Sequence, residues 1–321
     1  MRMLFRIALI LVGLLPALAS AAFTTPARTF ELGDREVSYH PRGARDAPVA
    51  IVLGGGPGFS SWNLEPIQRR LSELDYRAGI MDMLGVGENA AELDGSPLDE
   101  WVAQVEGLRR AMAGDRPVTL LGHSWGALMA LLYTREHPER VERLVLLNPV
   151  DPRREAMRTV IEQIDARRAR ELDEPWDEEG RWDQSFDGTR DEAGHARHQI
   201  ERTLPAYFAD YEQGRRYAAQ FDETDFSPML NIEGWRAYGE NPVRWETIRG
   251  WEIPVGFIGC RRDLLMPTNL ARYREALNLE PVRVLEGCVH FPWEEVPGAF
   301  ERALADALPP VSSPVGRVGA R

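Results

Sequence analysis

The chain has 321 residues, of which 44% are apolar and 27% charged, an ordinary balance for a globular protein. Its 50 acidic and 38 basic side chains leave a formal charge of −12, which argues against a nucleic-acid partner because phosphates would be repelled. This length could hold two average domains, but it also suits one α/β body carrying an insertion.

The first segment has a recognisable layout. Arg2 and Arg6 precede an apolar run from Ile7 to Leu18, and Ala17-Leu18-Ala19 or Ala19-Ser20-Ala21 offers a small-residue cleavage site. This is the pattern of a secretory signal peptide over residues 1–21. A membrane anchor is the competing reading, but the run is short for a span of about 20 residues and contains Pro16. No cysteine follows the run, so a lipoprotein anchor is excluded. The expectation is export to the periplasm or the medium, with no stable membrane anchor after cleavage. Cys260 and Cys288 are the two cysteines, and an oxidising compartment favours their pairing.

Strand character begins at Arg35–His40 and continues in the apolar run Pro48–Leu53, which ends in Gly54-Gly55-Gly56-Pro57-Gly58. A continuous apolar run of this kind fits a strand buried on both faces. Tyr76–Met81, Val118–Leu121 and Val141–Leu147 are further strands, with helices at Pro66–Leu74, Leu98–Ala113 and Trp125–His137. Strand, loop and helix thus alternate from about residue 48 to 150, predicting a mostly parallel sheet. From 151 to 250 the β period is lost, charges are frequent, and Trp176, Trp182, Trp235 and Trp245 occur. This reads as a mostly helical cap insertion, with a polar, loop-like stretch at Leu172–Asp187. Strands resume at Ile253–Ile258 and Val282–Leu285, followed by a helix from about Glu294 to Leu308. The expected core is therefore 22–150 with 251–308, and the Pro-, Ser- and Gly-rich tail 309–321 is expected to be disordered.

Chemistry concentrates at strand ends. Gly122-His123-Ser124-Trp125-Gly126 follows a buried strand and opens a helix, the context that turns G-x-S-x-G into a nucleophile elbow. Ser124 is the candidate nucleophile. A serine hydroxyl needs a base to remove its proton. His290, just after the last strand, is in the place and chain order for that base; His123, beside the serine, is read as packing. His40 ends an early strand, and His137 ends a helix. His195 and His198 lack further ligands nearby and read as a solvated helix face, so no metal and no cofactor are expected. Asp263, after Ile253–Ile258, is the candidate acid that holds the imidazole tautomer, with Asp151 as the reserve. Backbone N–H groups of Trp125 and Gly56 are candidate oxyanion donors. The glycine loop lacks the lysine of a P-loop and the spacing of a dinucleotide fingerprint.

Taken together, these segments resemble the proline iminopeptidase (prolyl aminopeptidase) branch of the α/β hydrolases. Gly54–Gly58 is similar to its H-G-G-P-G, with Gly54 in place of histidine. Asp82-Met83-Leu84-Gly85-Val86-Gly87 is similar to its D-x-R-G-x-G, and Gly122–Gly126 matches G-x-S-W-G. Asp263 through Pro267 matches D-x-x-x-P, and His290 stands where the family histidine does. The resemblance implies an α/β-hydrolase fold and an acyl-enzyme on Ser124. It further implies release of an N-terminal residue, often proline, from a small peptide whose amine meets carboxylates of the cap. The cap has many candidates there, including Glu174, Glu178, Glu233 and Glu246; W-x-x-W-E is absent as a clean pattern, and Trp245-Glu246 is the cap's Trp-Glu pair. Cys260 and Cys288 depart from the family, standing where relatives often have glycine, on strands expected to be neighbours; a disulfide clamping the acid and base loops is expected. A carboxylesterase or lactonase using the same triad is the alternative function. Epoxide hydrolases and haloalkane dehalogenases need aspartate at position 124. A non-catalytic binding protein built on the same fold is disfavoured by the complete set of candidate groups.

Overall fold

The computed structural model describes residues 23–153, 156–172, 192–264 and 268–311. The expected signal segment 1–21 lies outside them, as do Glu174, Trp176, Glu178, Trp182, Pro267 and residues 312–321. Eight strands form one sheet: β1 (Arg28–Leu32), β2 (Arg35–Arg42), β3 (Val49–Leu53), β4 (Arg77–Ile80), β5 (Val118–His123), β6 (Val141–Leu147), β7 (Val255–Cys260) and β8 (Leu279–Leu285). Their spatial order is β1-β2-β4-β3-β5-β6-β7-β8. β2 runs antiparallel to both β1 and β4; the pairs from β4 to β8 are parallel. This is the α/β-hydrolase arrangement expected above.

β3 explains why a continuous apolar run suits a strand here. Its side chains alternate across the pleat, so Val49, Ile51 and Leu53 enter the core on one face while Ala50 and Val52 enter the core on the other. Helices α1 (Glu65–Glu73), α2 (Pro97–Ala113) and α3 (Trp125–Glu136) fill the crossovers. Between β6 and β7 the chain leaves the sheet for a helical insertion: α4 (Ala156–Leu172), then Glu192–Thr203, Tyr211–Ala218, Pro228–Glu240 and Trp245–Ile248. Among the described residues, no helix is long and apolar enough to cross a membrane.

Three local features differ from the sequence reading. β1 was not anticipated: it is a half-exposed edge strand, joined to β2 by a tight turn at Gly33-Asp34 and paired with β2 alone. The expected single helix Glu294–Leu308 is two, Pro292–Glu295 and Pro297–Ala307. Pro297 forces the break, because its ring excludes helical geometry at Val296, which adopts φ −141° and ψ 55°. The tail starts anchored: Tyr76 Oη donates to the Pro309 carbonyl at 3.1 Å, and Val311 packs on the core.

Cys260, the last residue of β7, and Cys288, just past the neighbouring β8, are joined by a disulfide across a Cα–Cα distance of 5.3 Å. Both are fully buried. Replacing both by serine is expected to lower the unfolding free energy by about 3–4 kcal/mol, the chain-entropy value for a separation of 28 residues, in a urea titration.

Asp82, at the end of β4, is a second buried fixture. Its Oδ1 accepts the Ser61 N–H at 2.6 Å and its Oδ2 the Glu88 N–H at 2.9 Å, tying together the loops after β3 and β4. Burial outweighs these bonds and pushes its carboxyl up to about 7. The folded state therefore holds a proton that the unfolded chain has released. This contribution to stability is complete below about pH 4 and is lost as pH rises through about 7. Unfolding free energy measured from pH 4 to 7 is expected to show that loss, on the order of 4 kcal/mol, and Asp82→Asn to flatten it.

Candidate active site

The elbow is a matter of atomic crowding. Ser124 sits between β5 and α3 with φ 56° and ψ −119°, a conformation that costs a non-glycine residue energy and is retained when surrounding structure enforces it. The enforcement is visible on either side. A Cβ at Gly122 would lie 2.3 Å from the Gly126 carbonyl oxygen, and one at Gly126 would lie 2.1 Å from that of Leu53. Strand, turn and helix thus approach closely enough that only hydrogen fits at these two positions. Ser124 N–H donates to Leu147 at the end of β6, at 3.0 Å, fixing the apex against the neighbouring strand. The Trp125 N–H, in the first turn of α3, is one of the amides a helix start leaves without an intrahelical partner.

Ser124 and His290 line one cavity of about 810 Å³. Gly55 and Gly56 of the glycine loop line it as well, and a Cβ at Gly55 would touch Ser124 Cβ at 3.4 Å and Oγ at 3.7 Å. The insertion closes the opposite wall with α4, Thr203, Leu204, Tyr207, Asn231, Ile232 and Trp235. It is bonded to the glycine loop: Ser60 Oγ donates to Asp225 at 2.5 Å, Ser227 N–H to Gly58 at 2.8 Å, and Asn231 Nδ2 to Pro57 at 2.9 Å.

His290 Nδ1 lies 2.7 Å from Asp263 Oδ2, both side chains buried. A carboxylate only accepts, so the imidazole proton sits on Nδ1 and the Nε2 lone pair is left for another partner. Asn148, just past β6, is the residue that sequence reasoning missed. Its Nδ2 donates to the same Asp263 oxygen at 2.6 Å and to the Val289 carbonyl at 3.1 Å. Its left-handed φ of 42° is unusual for a side-chain-bearing residue, and asparagine tolerates it better than most. No sequence motif pointed to it, because its partners are 115 and 141 residues away.

His123 is buried, donates Nε2–H to the His290 carbonyl at 3.0 Å, and lies 4.7 Å from the His290 ring. Burial pushes its pKa well below the ordinary histidine value, with the neighbouring His290 adding to the effect, so His123 stays neutral. It packs on His290, and it also lines the cavity, which a side chain pointing away from that face would not do. Tyr207 of the insertion covers His290, ring to ring at 4.6 Å; burial, and secondarily the Asp263 charge, raise its hydroxyl pKa.

The cap residues expected at the site are placed elsewhere. Glu233 pairs with Arg236 at 3.4 Å, and Trp245 stacks edge-on against Tyr273 at 5.0 Å; neither they nor Glu246 are among the residues lining the cavity. Among the described residues, the carboxylates that line it are Glu162 and Asp165 on α4. Asp165 is buried and paired with the buried Arg202 at 2.8 Å, whereas Glu162 is exposed and makes no ion pair among the described residues. The correction has a simple cause: Glu162 and Asp165 are three apart, on the helix face shared with Ile161 and Ile164, whereas Trp245-Glu246 lies in a short helix packed on the core. The reserve acid Asp151 is held by Arg153, whose Nη2 is 2.9 Å away. No cluster of metal-ligating side chains occurs among the described residues, and His195 and His198 are not among those lining the cavity.

Residues 48–297 match the family described as alpha/beta hydrolase fold, and the chain belongs to that family of hydrolases. Among curated proteins it is similar to a proline iminopeptidase of Lactobacillus helveticus (strain DPC 4571), 38% identical over 117 residues. That match takes in 35% of this chain and 39% of the relative, so it spans well under half of the relative's length. A proline iminopeptidase of Lactobacillus delbrueckii subsp. bulgaricus is 23% identical over 282 residues, covering 83% of this chain and 91% of that one. Among solved structures, the 2-hydroxy-6-oxo-6-phenylhexa-2,4-dienoate hydrolase from Rhodococcus sp. strain RHA1 superposes with a TM-score of 0.64 at 18% identity, covering 88% of this chain and 98% of that one. A proline iminopeptidase-related protein from Thermus thermophilus does so at 0.59 and 21%, covering 88% and 96%. At such identities these structures bear on the fold alone.

Asn148→Ala is expected to leave the buried Val289 carbonyl without its side-chain donor and to cost about 2–3 kcal/mol in chemical denaturation. Asn148→Asp is expected to lose more at pH 7 than at pH 5, because two carboxylates this close cannot both ionise.

Proposed function

We propose that the chain is a serine hydrolase with Ser124 as nucleophile, His290 as general base and Asp263 as the acid that orients it. The substrate is a small peptide whose N-terminal residue is released. In the attack, the Ser124 hydroxyl proton passes to His290 Nε2 as Oγ bonds to the scissile carbonyl carbon. The carbonyl oxygen, now negative, is met by the N–H groups of Trp125 and Gly56. The imidazolium then gives its proton to the leaving amine, leaving an acyl-enzyme; water, activated by the same imidazole, releases the acid. Asp263, held by Asn148, keeps the Nδ1–H tautomer and balances the imidazolium charge.

One observation carries the aminopeptidase reading: Glu162, a carboxylate without an ion pair among the described residues, faces the cavity that Ser124 and His290 line. A free substrate ammonium group would complete that pair. The similarity to proline iminopeptidases supports the same class. A carboxylesterase acting on small esters or lactones is the second reading, favoured by the apolar walls Phe59, Ile161, Leu204, Phe221, Ile232 and Trp235. Export by an N-terminal signal peptide is part of the proposal, and the buried disulfide suits an oxidising compartment.

Turnover of proline β-naphthylamide and p-nitrophenyl acetate separates the two readings. Ser124→Ala is expected to abolish both activities and labelling by a fluorophosphonate. Glu162→Gln is expected to raise KM for the arylamide by about tenfold while leaving the ester nearly unchanged, the signature of one lost charge-assisted contact. Cleavage of the ester with no cleavage of any aminoacyl arylamide would decide for the esterase.

A further inference from the structure

We infer that Glu295 is a positioning residue for His290, and that the same carboxylate latches the insertion onto the loop carrying the base. Its Oε1 accepts three consecutive backbone N–H groups, those of Val289 at 2.9 Å, His290 at 3.0 Å and Phe291 at 3.0 Å. Its Oε2 accepts the N–H of Ala209 at 2.7 Å, together with that of Val289 at 3.1 Å. Four amide dipoles, one of them 86 residues distant in sequence, converge on a single side chain.

The loop needs such an acceptor. Residues 289–291 lie outside any strand and precede the short helix Pro292–Glu295, so their N–H groups have no ladder partner. Buried amides without acceptors are costly, and a carboxylate satisfies several at once through charge-assisted bonds. The result fixes the backbone from which the His290 side chain projects.

The fourth bond has no such local purpose. Ala209 belongs to the insertion, two residues beyond Tyr207, whose ring covers the His290 imidazole. Phe208 stacks on Phe291 at 5.1 Å, and Gln213 Nε2 donates to the Glu294 carbonyl at 3.0 Å. Within the insertion, Arg167 of α4 donates to the carbonyls of Ala206 and Ala209 at 3.0 and 3.1 Å. Since α4 also carries Glu162, the wall that would meet a substrate and the loop that carries the base are joined through Arg167, Ala209 and Glu295. Movement of the insertion away from the cavity would break the Oε2 bond to Ala209 and lift Tyr207 from the imidazole. His290 is therefore fully held only when the insertion is seated.

The kinetic side of this inference rests on the triad proposed above; the structural side does not, and the experiment reads both. Glu295→Gln retains one oxygen for the three loop amides but turns an NH₂ group toward the Ala209 N–H. Hydrogen exchange followed by mass spectrometry is expected to quicken in the segment 206–213 while 287–293 stays protected. For p-nitrophenyl acetate, KM is expected to rise about tenfold with kcat within about threefold of the unaltered chain, since the base loop keeps its anchor. Glu295→Ala is expected to quicken exchange in both segments and to lower kcat by about 10²-fold, the scale of an ångström misplacement of a reacting group. Unchanged exchange in both variants, or equal damage by glutamine and alanine, overturns the latch. Faster exchange in the alanine variant with kcat unaltered overturns the positioning role. If Glu295→Ala does not yield folded protein, Glu295→Gln decides alone, by whether segment 206–213 opens while 287–293 does not. A chain that neither turns over ester nor labels at Ser124 refutes the triad, while the exchange pattern still decides the latch.

Discussion

An imidazole and a carboxylate can share a proton reliably only if the two loops bearing them do not move relative to each other. The 2.7 Å contact between His290 Nδ1 and Asp263 Oδ2 is the interaction on which the rest of this structure converges. Asp263 lies three residues beyond the disulfide at Cys260 and His290 two beyond Cys288, so the covalent link sits directly behind the pair. Asn148 bonds both the Asp263 carboxylate and the loop at Val289, and Glu295 holds the backbone on either side of His290. Each device acts on a different degree of freedom: separation of the strand ends, orientation of the Asp263 carboxylate, and path of the loop carrying His290.

Among the described residues, hydrogen bonds join the insertion to the two loops that border the cavity beside Ser124 and His290, and also to α3, where Arg135 donates to Asn241 and Pro242. Asp225, Ser227 and Asn231 meet the glycine loop, while Ala209 and Gln213 meet residues around His290. A lid attached only by apolar packing could slide. Directional hydrogen bonds to both loops set the register of the cavity wall against the elbow.

Much of this was legible in the sequence, because it depends on local rules. A short apolar run without alternation, bounded by turn residues, fits a strand covered on both faces, and β3 and β5 are such strands. The elbow was legible because backbone crowding at Gly122 and Gly126 leaves no chemical alternative to glycine. The disulfide followed once β7 and β8 were taken as neighbours. The break before Pro297 could have been read from proline alone, whereas the edge strand β1 depended on finding its hairpin partner.

What the sequence by itself determined was the order of strands and helices, the elbow, and the candidate acid and base at strand ends, since each is dictated by neighbours within a few residues. Only the tertiary structure decided that, among the described residues, α4 rather than Glu233 or Glu246 supplies the cavity's carboxylate without an ion pair, Glu162. The same holds for Asn148 and Glu295, whose bonds reach residues 115, 141 and 86 positions away. The physical reason is common to all three: acidic and amide side chains are abundant along the chain and carry no periodicity, so their roles are fixed by what packs against them and not by what precedes or follows them.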